Sequence, residues 1–507
     1  MSSDSSSHPR LRAGSVGVLA VIGGLAAGHL TASLVAPDAS PALAVGGRVI
    51  DLTPTPVKEW AVATFGTMDK PLLIGGVLAI TLALGAAIGL AALRHRWAIW
   101  AGPATLTAVA VASAALAPVP GPFAVVPALV TGAIGIAVLA WFMRRTARVR
   151  EHTGRVYALN RRAFLTGTAV TGVGSAAAFL GGQYLATQGR VPSTVTLPAP
   201  VRTVPPLPAG LDVPGIAPWV TPNADFYRVD INLIVPNVDV NGWTLTVDGM
   251  VDRPFTLTWP ELLALPMVEK DITLNCVSNE VGGPYIGGAR WLGVPMKDLL
   301  ARAGVQAGAE QVLSRSVDGF TISTPVQALT DDRGAMLAVG MNGQPLSAER
   351  GFPARMLTPG LYGYVGATKW LTRLTLTTWA GERAYWTQRD WAEQAPVKPS
   401  SRIDTPRPFA RPKPGKVMVA GVAWAQHIGV KGVQVRVDGG PWRDADLGPD
   451  AGIDYWRQWS YAWPATSGQH TLESRVIDRT GASQREARAT PFPDGSSGLH
   501  SVVVIVD

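Results

Sequence analysis

Five stretches of the chain, residues 15–36, 71–93, 97–117, 123–143 and 163–185, are apolar and contain no Asp, Glu, Lys or Arg. About 20 such residues cross the hydrocarbon core of a bilayer, so the pattern predicts five membrane-spanning helices. Beyond residue 185 the texture changes. Residues 186–222 are rich in proline (Pro192, Pro198, Pro200, Pro205, Pro206, Pro208), which predicts an extended tether. A globular pattern follows. The run Trp243-Thr-Leu-Thr-Val-Asp-Gly249 alternates like a half-buried strand ending in a turn. Pro260 suits the first turn of a short helix through Leu263. Ile272, Leu274 and Cys276 share one face of a strand by its period of two. A short helix around 298–303 stops at Gly304, and 312–316 with 320–324 flank Asp318-Gly319 as a hairpin. From about Arg411 the pattern is one of short strands only, marked by Val417, Val433, Val435, Val476 and the run 502–506. The expected architecture is an all-α five-span membrane region, an α+β domain and an all-β immunoglobulin-like C-terminal domain. The expected boundaries are a four-span region at 1–160, a fifth span with its tether at 161–222, the α+β domain at 223–405 and the β domain at 406–507.

Charge assigns the partner of the first part. The net charge of +8 divides into 15 Lys+Arg against 6 Asp+Glu in residues 1–190 and 29 against 30 in the rest. The chain is basic where it is apolar, which points to membrane lipid and away from nucleic acid. Arg10 and Arg12 precede the first span, Arg94 and Arg96 separate the second and third, and seven arginines between 144 and 162 separate the fourth and fifth. By the positive-inside rule the N-terminus lies in the cytoplasm and everything after the fifth span lies outside the cytoplasmic membrane. The fifth span is rich in Gly, Ala and Thr and follows Arg161-Arg162-Ala-Phe-Leu165. This run resembles a twin-arginine export signal, which would carry the following domain across already folded; it also reads as a charge cluster that only sets topology.

Composition then narrows the chemistry. An apolar content of 47% excludes a disordered chain, and a single cysteine, Cys276, excludes an intramolecular disulfide, a Cys-rich zinc site, a Cys-ligated iron–sulfur cluster and c-type haem attachment. Histidine is absent from 153 to 426, so imidazole catalysis and His-ligated zinc or copper fail in the α+β domain. One intramembrane histidine, His29, cannot supply the two axial ligands of a b-type haem and reads as a helix-packing residue. A lone cysteine is most often a small core residue. Its one available chemistry here is to give a single thiolate bond to a metal that brings its other, sulfur-rich ligands with it.

At these residues the sequence resembles the sulfite oxidase family of molybdenum-cofactor enzymes. Thr273-Leu-Asn-Cys276-Val-Ser-Asn-Glu280 is similar to the family's cysteine motif, and 289–300, Gly351-Phe-Pro-Ala-Arg355-Met-Leu-Thr-Pro-Gly360 and Thr368-Lys369-Trp370-Leu371 to the segments that cradle its cofactor. The last ~95 residues resemble its C-terminal dimerisation domain, so that the likeness covers about 220–507. The resemblance implies that Cys276 ligates molybdenum in a molybdopterin cofactor. It implies that Arg355 and Lys369 hold the pterin phosphate, with Arg350 nearby, since an Arg fork and a Lys point charge suit a phosphate. Ser316 and Thr368 would bond the pterin, and Asn223, Phe226, Tyr227 and Arg228 match the first pterin-contacting segment. Two positions depart from the pattern. Asp230 stands where animal and plant sulfite oxidases have their sulfite-binding Arg, and Trp391 stands where they have a catalytic Tyr. The implied activity is two-electron oxygen-atom transfer on a small, sulfur-containing substrate, with sulfite disfavoured and sulfoxide reduction an alternative direction. The electrons pass to or from a separate carrier, a cytochrome or a quinone-linked protein, and the family implies a homodimer. A reading from another class, a membrane-anchored binding module that keeps the fold without catalysis, stands beside it.

Overall fold

The computed structural model describes residues 9–35, 39–65, 68–117, 121–153, 161–187 and 195–507; Ala36, Arg155, Asn160 and Pro192, used above, lie outside them. The chain forms two compact units, Met1–Arg190 with Ile231–Pro236, and Val191–Asp230 with Asn237–Asp507.

The first unit contains helices α1 (Pro9–Val35), α2 (Pro41–Leu52), α3 (Thr55–Phe65), α4 (Asp69–Arg94), α5 (Ala98–Ala115), α6 (Val126–Thr153) and α7 (Arg161–Thr187). Five of them, at Leu11–Val35, Asp69–Arg94, Ala98–Ala115, Val126–Arg144 and Phe164–Leu185, are long and apolar enough to cross a membrane. These are the five expected spans. The two short helices α2 and α3 between the first and second spans were not expected, and α6 runs on beyond its span to Thr153. Helix α1 packs against α4, α6 and α7. Small residues let the backbones approach: a Cβ on Gly17 would strike the Gly85 carbonyl, and one on Gly24 would lie 2.6 Å from the Thr131 carbonyl. His29 Nδ1 is 3.3 Å from Ser40 Oγ, and its ring lies 5.3 Å from Phe179, as a packing histidine would. The bundle holds a cavity of about 340 Å³ whose lining includes Leu25, Val45, Leu78, Leu106 and Leu139. The lining threonines Thr81, Thr107 and Thr131 donate to carbonyls of their own helices, so they offer no free hydroxyl hydrogen there.

In the second unit residues 195–222 have no helix or strand, yet they are fastened along their length. Val201 N–H donates to the Met267 carbonyl (2.8 Å), Leu211 N–H to Gln458 Oε1 (2.7 Å), Ala217 N–H to Asp404 Oδ2 (2.9 Å) and Thr221 N–H to the Gly288 carbonyl (2.8 Å). The α+β part is built on two sheets. One has the order β2 (Phe255–Thr258), β1 (Thr244–Gly249), β10 (Leu371–Thr377), β5 (Gln311–Ser316), β6 (Thr321–Pro325), with β1 and β10 parallel. The other has the order β3 (Val268–Asn275), β4 (Ile286–Pro295), β7 (Met336–Met341), β8 (Gln344–Pro345), with β9 (Arg355–Leu357) also on β7. Short helices α8 (Trp259–Leu263), α9 (Met296–Ala303), α10 (Val326–Thr330) and α11 (Gly363–Gly366) connect the strands. Gly304 ends α9 at φ +71°, a left-handed cap that favours glycine. The core lies between the sheets, around Leu245, Ile272, Trp291, Leu300, Leu337 and Leu374.

The C-terminal part is an immunoglobulin-like pair of antiparallel sheets, β11 (Ser400–Thr405), β12 (Gly415–Trp424), β16 (Arg457–Ala465), β15 (Asp446–Leu447) and β14 (Arg443–Asp444), β13 (Val430–Val437), β17 (Gly468–Asp478), β18 (His500–Val506). Val419, Val433, Val435, Trp459, Val476 and Val504 fill the space between them. Its first strand, β11, begins at Ser400.

Candidate active site

Strand β3 changes character along its length. Its first four residues are half-buried, while Ile272 to Asn275 are buried on both faces, so alternation reads only half of this strand. It delivers Cys276 into the interior at its end, with 8% of the residue exposed. The turn that follows is closed by three hydrogen bonds. Cys276 N–H donates to the Tyr285 carbonyl (3.0 Å), Tyr285 N–H to Asn279 Oδ1 (2.8 Å) and Asn279 N–H to the Cys276 carbonyl (3.0 Å). Burial pushes the Cys276 thiol up, against hydrogen bonds from Ser278 and the positive charge of Lys369.

The stretches around Arg355 and Lys369 are stitched to each other. Met356 N–H donates to the Thr368 carbonyl (2.9 Å), Leu371 N–H to the Ala354 carbonyl (3.0 Å) and Trp370 Nε1 to the Ala348 carbonyl (2.8 Å). Gly351, at φ +106°, lies so close that a Cβ there would sit 2.9 Å from Lys369 Cβ. Arg355 opens β9 and is 6% exposed; its Nη1 donates to the Arg350 carbonyl (3.4 Å), and its Nε has no hydrogen-bond partner among the described residues. Burial lowers its pKa to about 10, with Arg350 adding to the effect and Tyr227 and Asp230 opposing it. The Lys369 side chain is 10% exposed and its Nζ donates to Asp230 Oδ2 (2.7 Å) and to the Glu349 carbonyl (3.3 Å). Burial holds it at about 8, even with Asp230 favouring the ammonium.

Asp230 is shared. Arg228 approaches the same carboxylate through Nε (2.8 Å) and Nη2 (3.2 Å). The carboxylate that stands in place of the sulfite-binding Arg is thus flanked by two cations. Arg350 is engaged with backbone: Nε, Nη1 and Nη2 donate to the carbonyls of Asn223 (3.2 Å), Tyr227 (2.8 Å) and Ala224 (3.4 Å), which pins the segment carrying Phe226 and Tyr227. Tyr227 stacks on Phe226, and burial pushes its hydroxyl well above the usual tyrosine range, with Cys276 acting in the same direction. The Asn223 side chain bonds elsewhere, donating to the Met341 carbonyl and accepting from Asn342. Thr368 and Ser314 share a hydroxyl–hydroxyl hydrogen bond, whereas Ser316 Oγ, buried at the end of β5, has no partner among the described residues. Cys276, Tyr227, Arg228, Asp230, Arg350, Arg355 and Lys369 therefore form one electrostatically connected cluster. Trp391 lies in an apolar cluster with Val277 and Tyr362, its ring 5.4–5.9 Å from Phe492, Tyr364 and Trp386.

Three features went unread in the sequence. Asn275 Oδ1 and Thr358 Oγ1 are buried and without partners among the described residues, and Tyr362 is close enough for Cys276 to raise its pKa. Asn275 and Thr358 fall inside the quoted motif runs, so the signal was present but carried no role.

A buried cationic cluster with an unpartnered guanidinium nitrogen and hydroxyl suits a polyanionic group with polar edges, and the thiol offers the soft donor that molybdenum takes. Comparison with known proteins agrees. Residues 232–386 match the oxidoreductase molybdopterin binding domain family. The chain is 30% identical over 305 residues to mitochondrial sulfite oxidase of Macaca fascicularis, covering 50% of this chain and 55% of that one. It is 29% identical over 300 residues to sulfite oxidase of Gallus gallus, covering 49% and 64%. It is 32% identical over 194 residues to NADH nitrate reductase 1 of Oryza sativa subsp. japonica, covering 33% and 21%. The chain thus spans about half the length of the curated sulfite oxidases it matches. The sulfane dehydrogenase SoxCD from Paracoccus pantotrophus has the same fold, with a TM-score of 0.51 at 22% identity over 58% of this chain and 84% of that one. Residues 232–386 thus match an oxidoreductase molybdopterin binding domain, the chain is similar to sulfite oxidases over about half its length, and five of its helices are apolar and long enough to cross a membrane.

Proposed function

We propose that the protein is a membrane-anchored, molybdopterin-dependent oxidoreductase acting on a small sulfur-containing substrate outside the cytoplasmic membrane. The observation that carries this reading is the buried cluster itself, in which the chain's single thiol shares a site with Arg355 and Lys369. The cofactor, when bound, supplies two-electron oxygen-atom transfer; the residues bind and orient it and tune its field. Cys276 is the metal ligand. Arg355 and Lys369 hold the pterin phosphate, and Ser316 hydrogen-bonds the pterin. Arg350 acts through the carbonyls of 223–227, keeping Phe226 and Tyr227 in place, while Asn223 and Thr368 support the same walls. Asp230 favours the Lys369 ammonium and pairs with Arg228, putting a carboxylate where the family has its sulfite-binding Arg. That arrangement favours an uncharged substrate such as a sulfoxide over sulfite. Trp391 closes the apolar side and provides no hydroxyl for proton transfer. The arginines flanking the spans support an outer location for this unit, and Arg161-Arg162 supports its export in folded form. Electrons pass to or from a separate cytochrome or quinone-linked carrier, and the family likeness supports a homodimer.

Metal and pterin analysis of the purified full chain, followed by a screen of sulfite and sulfoxides, tests the proposal. Cys276→Ser is expected to abolish turnover while pterin is retained. Wild-type chain without molybdenum, when produced in a host that makes the cofactor, would favour the non-catalytic binding module instead.

A further inference from the structure

The C-terminal sandwich reaches into the site at a place that no local motif marks. Residues 491–497 lie in the connection between β17 and β18, more than 200 positions from Cys276. Ser496 Oγ donates to the Asn279 carbonyl at 2.6 Å. Asn279 is the residue that closes the turn after Cys276, bonding the Cys276 carbonyl through its N–H and the Tyr285 N–H through its side chain. The same segment touches the other side of the site. Phe492 packs edge-on against Trp391 at 5.4 Å, Ala392 N–H donates to the Pro493 carbonyl (3.1 Å), and a Cβ on Gly495 would lie 2.5 Å from the Tyr362 hydroxyl. Nearby, Arg402 on β11 donates to the Gly283 carbonyl (2.9 Å), and the His500 ring fills the space a Gly282 side chain would need. The turn at 277–284 is therefore held at both ends by the β domain.

We propose that Ser496 is a positioning residue for Cys276: the β domain fixes the direction of the thiol by bonding the Asn279 turn, in addition to any role in subunit contact. The inference rests on the reading of Cys276 as the metal ligand, but its geometry belongs to the protein alone. Because Cys276 is the only cysteine in the chain, its reactivity can be followed without background. The thiol is buried, so a reagent reaches it when the turn opens, and the opening equilibrium includes the Ser496 bond. One hydrogen bond of this kind changes such an equilibrium by about a factor of ten.

The test is the rate of iodoacetamide alkylation of the cofactor-free full chain in detergent between pH 7 and 10, for wild type, Ser496→Ala and Ser496→Thr. Ser496→Ala is expected to react about tenfold faster at each pH with an unchanged unfolding midpoint, and Ser496→Thr to return to within about twofold of wild type. Equal rates for Ser496→Ala and wild type would overturn the proposal. So would a Thr variant as fast as the Ala variant, since a general loss of stability is not rescued by a hydroxyl alone. Absence of molybdenum from the wild-type chain would sink the proposed function and leave this measurement readable.

Discussion

Lys369 should couple phosphate binding to proton uptake. Its ammonium is buried and its pKa falls from 10.5 to about 8, a disfavouring of the charged form by about 3 kcal/mol at ~1.4 kcal/mol per pH unit. An anion seated against Nζ restores the proton. Below pH 8 the lysine is already charged and binding takes up none. Above pH 8 binding takes up a growing fraction of a proton, and affinity drops by up to tenfold per pH unit, about fiftyfold between pH 8 and 10. The measurement is calorimetric titration of the cofactor-free chain with a phosphate monoester, which is fully ionised over this range, in buffers of different ionisation enthalpy. Lys369→Arg keeps the charge and should move the loss of affinity up by about two pH units, because a guanidinium starts from a higher pKa and burial brings even Arg355 down only to about 10. Asp230→Asn removes the carboxylate that favours the ammonium and should move the break below pH 8. An affinity independent of pH from 7 to 10, or an Arg variant with the same slope as wild type, would refute the placement of Lys369 at the phosphate.

Two further outcomes follow from buried groups. Arg355 holds a desolvated charge with an unpartnered Nε, so Arg355→Met should leave the stability of the cofactor-free chain unchanged or raise it by roughly 1–3 kcal/mol while abolishing cofactor retention, read by denaturant melts and pterin content. The His500 pKa is lowered from 6.5 to about 4, chiefly by burial with Arg402 and Arg488 adding to it, so the native state stays neutral while the unfolded chain takes up a proton. Its contribution is complete above pH 6.5 and is lost as pH falls toward 4, by about 3 kcal/mol, and His500→Gln should flatten that part of the urea midpoint against pH.

The sequence exposed what depends on runs and on single chemical types. Five uncharged stretches gave five helices, and the one thiol among motif residues marked the site. The short helices α2 and α3 were not apparent because they are only 12 and 11 residues long and carry Arg48, Asp51, Lys58 and Glu59, which break the apolar pattern. Strand β3 was read by alternation, which grouped Ile272, Leu274 and Cys276, but its inner half is buried on both faces, and the burial of Asn275 had no signal in that pattern. Arg350 could be placed only near the phosphate stretch, because charge type is visible in sequence and the carbonyls of 223–227 that engage it are not. The Ser496–Asn279 bond, 217 positions apart, has no local pattern at all.

The stretch at 195–222, whose composition suggested a passive tether, has a kinetic consequence. Leu211 and Ala217 donate to Gln458 and Asp404, 247 and 187 positions later in the chain. At roughly 5–20 residues per second of synthesis, Leu211 leaves the ribosome about 12–50 s before its acceptor exists. During that interval Val201 and Thr221 already have Met267 and Gly288 to bond, but the stretch around Leu211 has no acceptor, so its fastening is completed late in assembly, and a chain truncated before β16 would keep that stretch loose and open to proteases.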